Sequence, residues 1–395
     1  MPASTFSVKP LVAVNAACTA AMMAFIAVIG PVARTLGLTV WQVGAVLTFG
    51  GIMWMLFSRS WGAASDRRGR RTTLLVGVGG FALSYLALCA LIALALRHHL
   101  SNGLLFLGLL GCRGAVGVFY AAVPAIGQAL IADNLPAERR SGALAAIGAG
   151  NGIGLVVGPA AAAILTQIDL ALSLLVIAAL PIVSLFFLRD LKQSSSVIRS
   201  RSVSSLRIDD PRLRRAITVA FVAMFCVYIA QVNVGFFALD RLGLAGTGAA
   251  RVSGMALTAV GIAMTMAQIV VRFVRWPSGQ ILRVGSLISA VGFGCTPFAS
   301  TTAELVLFYF IAAVGMGLIF PSFAALASNA VKPHEQGVAA GVIGAAQGLG
   351  VVIGPTIGTL LYAVGPSVPY ILASALLIFV AFDRSTSRRQ TPHKP

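Results

Sequence analysis

The chain has 395 residues, 58% of them hydrophobic and only 10% charged, with a mean hydropathy of +0.93 and a formal net charge of +18. So apolar a composition leaves too little polar surface for folding in water, which excludes a soluble globular protein and points to a bilayer. The basic balance is not read as nucleic-acid binding, because basic loops facing anionic lipid headgroups produce the same charge.

Crossing roughly 30 Å of hydrocarbon takes about 20 apolar residues. Twelve such runs are predicted in chain order, all helical: Leu11 to Ile29, Trp41 to Gly62, Thr73 to Ala95, Gly103 to Ile126, Gly142 to Thr166 and Leu170 to Leu188, then Ala216 to Leu239, Val252 to Phe273, Leu282 to Ala299, Leu305 to Ser328, Val338 to Ala363 and Val368 to Phe382. The expected fold is therefore all-α and integral to the membrane. No cleavable leader is expected, since the run from Leu11 continues through a full span. With both termini taken as cytoplasmic, the inner segments hold 24 of the 29 Lys and Arg residues and the outer loops hold four. Cytoplasmic loops carry the positive excess, so this asymmetry sets the orientation.

The stretch 189–215 is charged and serine-rich and breaks the apolar pattern near mid-chain. It reads as a cytoplasmic linker between two six-helix bundles, 1–188 and 216–395. The halves are related: Ile147 to Leu165 returns 196 positions later as Ile343 to Leu361, with nine of nineteen residues identical. Each copy carries a Gly-x-x-x-Gly-Pro core, at Gly154, Gly158 and Pro159 and again at Gly350, Gly354 and Pro355. A duplicated, glycine-studded apolar segment is expected of a transporter built from two bundles that rock around a central site.

Cys18, Cys89, Cys112, Cys226 and Cys295 are scattered singly, and His98, His99, His334 and His393 show no ligand spacing on a helix. No metal or other cofactor is expected. Without a Ser/His/Asp set, a Walker-type Gly-Lys-Ser/Thr or a pair of buried carboxylates, neither hydrolysis nor ATP-driven pumping has residues to carry it, and an enzyme is not expected.

Between spans two and three runs Gly62-Ala-Ala-Ser-Asp66-Arg67-Arg68-Gly69-Arg70-Arg71. Glycine suits a tight inner turn, and a carboxylate among arginines can trade partners or cap a helix start, as a latch requires. Arg113 lies inside span four, where a cation costs about 2.5–3.5 kcal/mol and must find water, a partner or a ligand. Polar residues stranded in other spans are its candidate cavity neighbours: Asn15, Thr19, Tyr120, Asn151, Tyr228, Gln231, Asn233, Gln268 and Gln347. An intramembrane amide serves equally well as interhelical glue.

The Gly62–Arg71 run resembles the signature loop of the major facilitator superfamily, with Ala64 where a leucine is usual. Leu109-x-x-x-Arg113-x-x-x-Gly117 resembles the family's second motif, and Gly154-x-x-x-Gly158-Pro159 its antiporter motif, although Ala162 and Ala163 replace the final glycines. Together they resemble the twelve-helix drug:proton antiporter branch. That resemblance implies two pseudo-symmetric bundles, alternating access and export coupled to proton entry. It also implies that Asp66 holds an inner gate against the start of span eleven, that Arg113 faces the cavity, and that Gly154, Gly158 and Pro159 let span five bend and pack across the interface. In the second half the latch loop, Arg272 to Gly279, lacks the aspartate.

None of the 11 acidic residues lies mid-span. Proton coupling would then use an edge acid, Asp240 or Glu304, the substrate's own protonation, or no proton. A positive, carboxylate-free interior favours an anionic or zwitterionic substrate such as a carboxylate metabolite or siderophore. The expected protein is a monomeric exporter of a small organic molecule in a bacterial inner membrane. An uptake permease for a metabolite or siderophore is the alternative in the same class, and a non-transporting sensor or scaffold the alternative outside it.

Overall fold

A computed structural model describes residues 6–98, 100–188, 210–271, 273, 276–332 and 335–383. Among these the chain is helical, with thirteen α-helices: α1 Lys9–Thr35, α2 Val40–Arg68, α3 Arg70–Arg97, α4 Asn102–Tyr120, α5 Ala122–Asn134, α6 Ala137–Leu165, α7 Leu170–Phe187, α8 Arg214–Asp240, α9 Gly246–Val271, α10 Ser278–Cys295, α11 Thr302–Asn329, α12 Gln336–Val364 and α13 Val368–Phe382. Ten helices, with α4 and α5 counted as one, are long and apolar enough to cross a bilayer; α13 and the apolar part of α7 are shorter. The twelve predicted spans are all present. Large apolar side chains that face outward, such as Ile168 at 72% and Leu83 at 71% exposure, are those a lipid solvent accommodates.

The fourth span departs from its prediction. It is interrupted at Ala121 and runs on to Asn134, eight residues past the expected end at Ile126. Pro124 has no N–H to offer the Tyr120 carbonyl four residues back, which is where the helix breaks. Much of the linker and the basic tail beyond Asp383 lie outside the described residues, as do Arg272, Val274 and Arg275 of the degenerate loop.

Two compact units emerge: residues 1–200 with 231–261, and residues 201–230 with 262–395. The first takes in the C-terminal part of α8 and the N-terminal part of α9, a different division from the predicted 1–188 and 216–395. Within this unit glycines admit those segments at backbone range. A Cβ on Gly235 would meet the Pro31 ring at 2.8 Å, and one on Gly254 would meet the Pro159 carbonyl oxygen at 2.6 Å. Bilayer helices associate through such packing, since lipid removes the hydrophobic drive between them.

The internal repeat is structural as well as sequential. In the first unit α6 packs along α1, where a Cβ on Gly154 would meet the Ala16 carbonyl oxygen, the Thr19 Cβ and the Ala20 nitrogen at 2.6, 2.7 and 2.9 Å. In the second unit a Cβ on Gly350 would meet the same three kinds of atom on α8: the Phe221 oxygen, the Met224 Cβ and the Phe225 nitrogen, at 2.8–2.9 Å. Gly158 abuts the Ala20 carbonyl and Gly354 the Phe225 carbonyl. The two Gly-Pro motifs thus seat equivalent helix pairs in the same register.

Candidate functional site

The loop joining α2 to α3 is reduced to one residue. Gly69 sits at φ +89°, a conformation that side chains with a Cβ rarely adopt, so the turn there needs glycine. Gly62 corrects the sequence reading: it lies inside α2 with open space where a Cβ would stand, and no turn depends on it. Arg70, one of the few buried cations, organises the loop. Its guanidinium donates to Ser65 Oγ at 2.6 Å and to Asp133 Oδ2 at 2.9 Å, and pairs with Asp66 at 2.6 Å. Asp133, near the end of α5, was missed because a terminal acid in an inner segment reads as solvated. Arg67 is exposed, Arg71 half-buried, and the Asp66 side chain 55% exposed.

Arg113 is 6% exposed and lies inside the first unit. Its guanidinium carbon stands 6.0 Å from the centroid of the Phe25 ring on α1. On its α2 side is Gly50, where a Cβ would come within 2.9 Å of Nη1 and 3.0 Å of Cγ and Cζ. Gly117, one turn along α4, touches the Gly50 carbonyl. Gly50 and Gly117 therefore let α2 and α4 close around the arginine. Gly50 and Phe25 carried no polar signal in the sequence and were missed.

Of the other predicted positions, the structure brings two together: Thr19 Oγ1 donates to Asn151 Oδ1 at 3.1 Å, joining α1 to α6. Asn15 turns back on its own helix, donating to the Leu11 carbonyl at 2.8 Å, which makes it a locally satisfied residue. Tyr120 is tilted against Phe81 with ring centroids 5.6 Å apart, and Gln231 and Asn233 are buried in α8. Gln268 is exposed and Tyr228 lies beside Gly354.

In the second unit a cleft of about 650 Å³ opens between α8, α11 and α12, lined by Met224, Phe320, Phe323, Ile343, Gln347 and smaller residues. Phe320 and Phe323 meet edge to face at 5.8 Å. Near it, Arg212 joins Asp210 at 2.7 Å to Glu335 at 3.1 Å, tying the end of the linker to the start of α12. Hydrogen bonds from the Arg212 side chain, then from its backbone, hold the Asp210 carboxyl below the usual carboxylate range.

The two candidate proton carriers differ. Glu304 closes a capping box at the start of α11, accepting from Ser300 N at 2.7 Å, Ser300 Oγ at 2.9 Å and Thr301 N at 3.2 Å. These bonds favour the ionised carboxylate and give Glu304 a helix-capping role. Asp240, at the end of α8, accepts from Arg34 Nη2 of α1 at 2.7 and 2.8 Å.

The Major Facilitator Superfamily model matches residues 11–355 and again 248–394. The chain belongs to the Major Facilitator Superfamily. It is 28% identical over 371 residues to the class C tetracycline resistance protein of Escherichia coli, covering 87% of this chain and 88% of that protein, and 25% identical to the class B protein of the same organism, covering 81% and 78%. Its fold is similar to a crystal structure of a bacterial homolog of the human lysosomal transporter Spinster, with TM-score 0.74, 13% identity and 95% and 94% of the chains covered. It is also similar to a bacterial homologue of the iron transporter ferroportin, with TM-score 0.69, 16% identity and 95% and 98% covered. As a member of this superfamily the chain is a multi-pass membrane transporter of small molecules.

Proposed function

We propose that this superfamily member is an exporter in a bacterial inner membrane, with both termini cytoplasmic, that moves a small organic molecule outward in exchange for protons. The observation that carries the reading is the similarity to tetracycline resistance proteins along 87% of the chain, in a molecule whose two Gly-Pro motifs seat equivalent helix pairs. Arg113 is the buried mid-span charge of the first unit, and the buried Arg70, with Asp66, Ser65 and Asp133, forms the latch. Asp240 is the edge acid left for proton coupling once Glu304 is committed to a cap.

Inverted membrane vesicles test the proposal. With tetracycline as the first compound, energised vesicles containing the protein should accumulate it, and a protonophore should abolish the accumulation. Uptake indifferent to the pH gradient and to its dissipation would refute proton exchange, and accumulation only in right-side-out vesicles would make the protein an uptake permease.

A further inference from the structure

We propose that Trp61 is a positioning residue for transport: its indole N–H pins the interruption of the fourth span and so holds Arg113 and the latch in one geometry. The inference rests on the transporter reading above and adds a residue outside the three motifs and the predicted cavity positions.

Trp61 stands in α2, one residue before Gly62 and the latch run. Its Nε1 donates to the Val118 carbonyl of α4 at 2.6 Å, and its ring is tilted against Phe119 with centroids 5.9 Å apart. Along a regular helix that carbonyl accepts from the N–H four residues on, which is Ala122, the first residue of α5. The indole thus reaches the backbone at the turn where α4 gives way to α5, just before Pro124 withholds the next donor. The same turn is enclosed by α3: a Cβ on Gly80 would strike the Phe119 ring, one on Gly77 would strike the Ala122 Cβ, and Phe81 lies 5.6 Å from Tyr120. An interrupted turn in hydrocarbon needs such partners, because lipid offers no hydrogen bond to a freed carbonyl. An indole on α2 does not find an acceptor by default. Trp54, two turns earlier, keeps its Nε1 buried with no partner among the described residues.

What the pin controls follows from where α2 holds the fourth span. It does so at three levels: Gly50 abuts Arg113 and Gly117, Trp61 grips Val118 and Phe119, and Ser65 and Asp66 reach Asp133 through Arg70. Arg113 lies before the interruption and Asp133 beyond it, about 12 and about 18 Å along the helix from Ala121. A change of about 10° at Ala121 would therefore carry Asp133 by about 3 Å, enough to break its 2.9 Å bond to Arg70. With the bend fixed, arginine and latch keep one arrangement; with it loose, the two ends of the span move independently.

Hydrogen exchange of the purified full chain in lipid nanodiscs reads the bend without a substrate. Trp61→Phe keeps a ring and loses the donor, and exchange at amides 119–130 should rise about threefold to tenfold, the worth of one hydrogen bond. Trp61→His carries Nε2–H where the indole carries Nε1–H, so at about pH 8, where imidazole is neutral, exchange should stay near wild type. Trp54→Phe, which loses a donor without an acceptor, should change nothing. Pro124→Ala returns an N–H to the Tyr120 carbonyl, and in that background Trp61→Phe should add little. If Trp61→Phe alone fails to fold, the double variant should fold, and failure of both overturns the pin. So does exchange unchanged in Trp61→Phe, a histidine no better than phenylalanine, an equal effect from Trp54→Phe, or full additivity with Pro124→Ala. In energised inverted vesicles Trp61→Phe should lower the maximal rate on the order of tenfold with half-saturation little changed, and wild-type rates overturn the positioning role. The expected exchange pattern in a chain that exports nothing leaves the pin standing without the exporter reading. Export by the wild type with exchange unmoved by Trp61→Phe leaves the exporter reading without the pin.

Discussion

Gly50→Ala tests whether the placement of Arg113 matters. The added Cβ would stand 2.9 Å from Nη1 and 3.0 Å from Cγ and Cζ of Arg113, where carbon contacts settle at about 3.5–4.0 Å. The side chain must therefore move by about half an ångström or more. The Phe25 ring on α1 restricts where it can go. Overpacking of this kind costs about 1–3 kcal/mol, but alanine returns about 0.5–1 kcal/mol over glycine inside a helix, so the melting temperature should fall by only a few degrees. Transport should fall much further, on the order of tenfold to a hundredfold, if a guanidinium displaced by a fraction of an ångström no longer serves. Initial rates in energised inverted vesicles, compared at equal protein content, measure this. Wild-type rates in Gly50→Ala would refute the positioning role.

Arg113→Ala should abolish transport while leaving a folded, monodisperse protein; full activity would reduce the residue to a brace. Breaking the latch should be unequal: Asp133→Asn removes a charged hydrogen bond from an arginine whose side chain is only 10% exposed, worth about 1.5–3 kcal/mol, while Asp66→Asn removes a pair whose acid is 55% exposed, worth about 0.2–1 kcal/mol. Thermal unfolding of the two variants and their double reads the difference, and equal losses would contradict the geometry. Asp210, held below the ordinary carboxylate range, contributes stability that is present above its unfolded value and is lost as pH falls through its lower folded value. The stability difference between wild type and Asp210→Asn should therefore hold at neutral pH and vanish in strong acid; a difference that grows on acidification has the wrong sign. Glu304→Gln should loosen the start of α11 and lower the melting temperature with proton coupling intact, whereas Asp240→Asn should alter the pH dependence of transport, and the reverse pattern would exchange their roles.

The fold was legible because lipid imposes it: an apolar run of about 20 residues bounded by charge admits few alternatives to a spanning helix. The interruption at Ala121 was legible in principle from Pro124, yet an unbroken hydropathy profile hides a missing backbone donor. The candidate site was readable where a polar or charged residue stood against an apolar background, as with Arg113, Thr19 and Asn151. It was unreadable where the packing rests on the lack of a side chain, as at Gly50, or on which of 22 phenylalanines stand beside the arginine or the cleft. The capping role of Glu304 was not readable, because an acid at a span edge looks the same in sequence with or without the bonds to Ser300 and Thr301.

The two halves keep one scaffold and have parted in chemistry. Gly154 and Gly350 meet the same three backbone and Cβ atoms, so the difference between Thr19 with Asn151 and Met224 with Gln347 cannot be ascribed to a shift in helix register. It lies in the side chains alone. The first unit spends its polar groups on internal bonds: Thr19 on Asn151, Arg70 on Asp66, Ser65 and Asp133, and Arg140 on the Leu135 and Ala132 carbonyls. Where the second unit has Gln336 in place of Arg140 and Met224 in place of Thr19, the guanidinium and hydroxyl donors are gone, and a cleft lies between α8, α11 and α12. Loss of the bond in one half costs about 0.5–1.5 kcal/mol of helix pairing and leaves the close glycine contacts intact, so duplicated bundles can diverge at this position and not at the glycines.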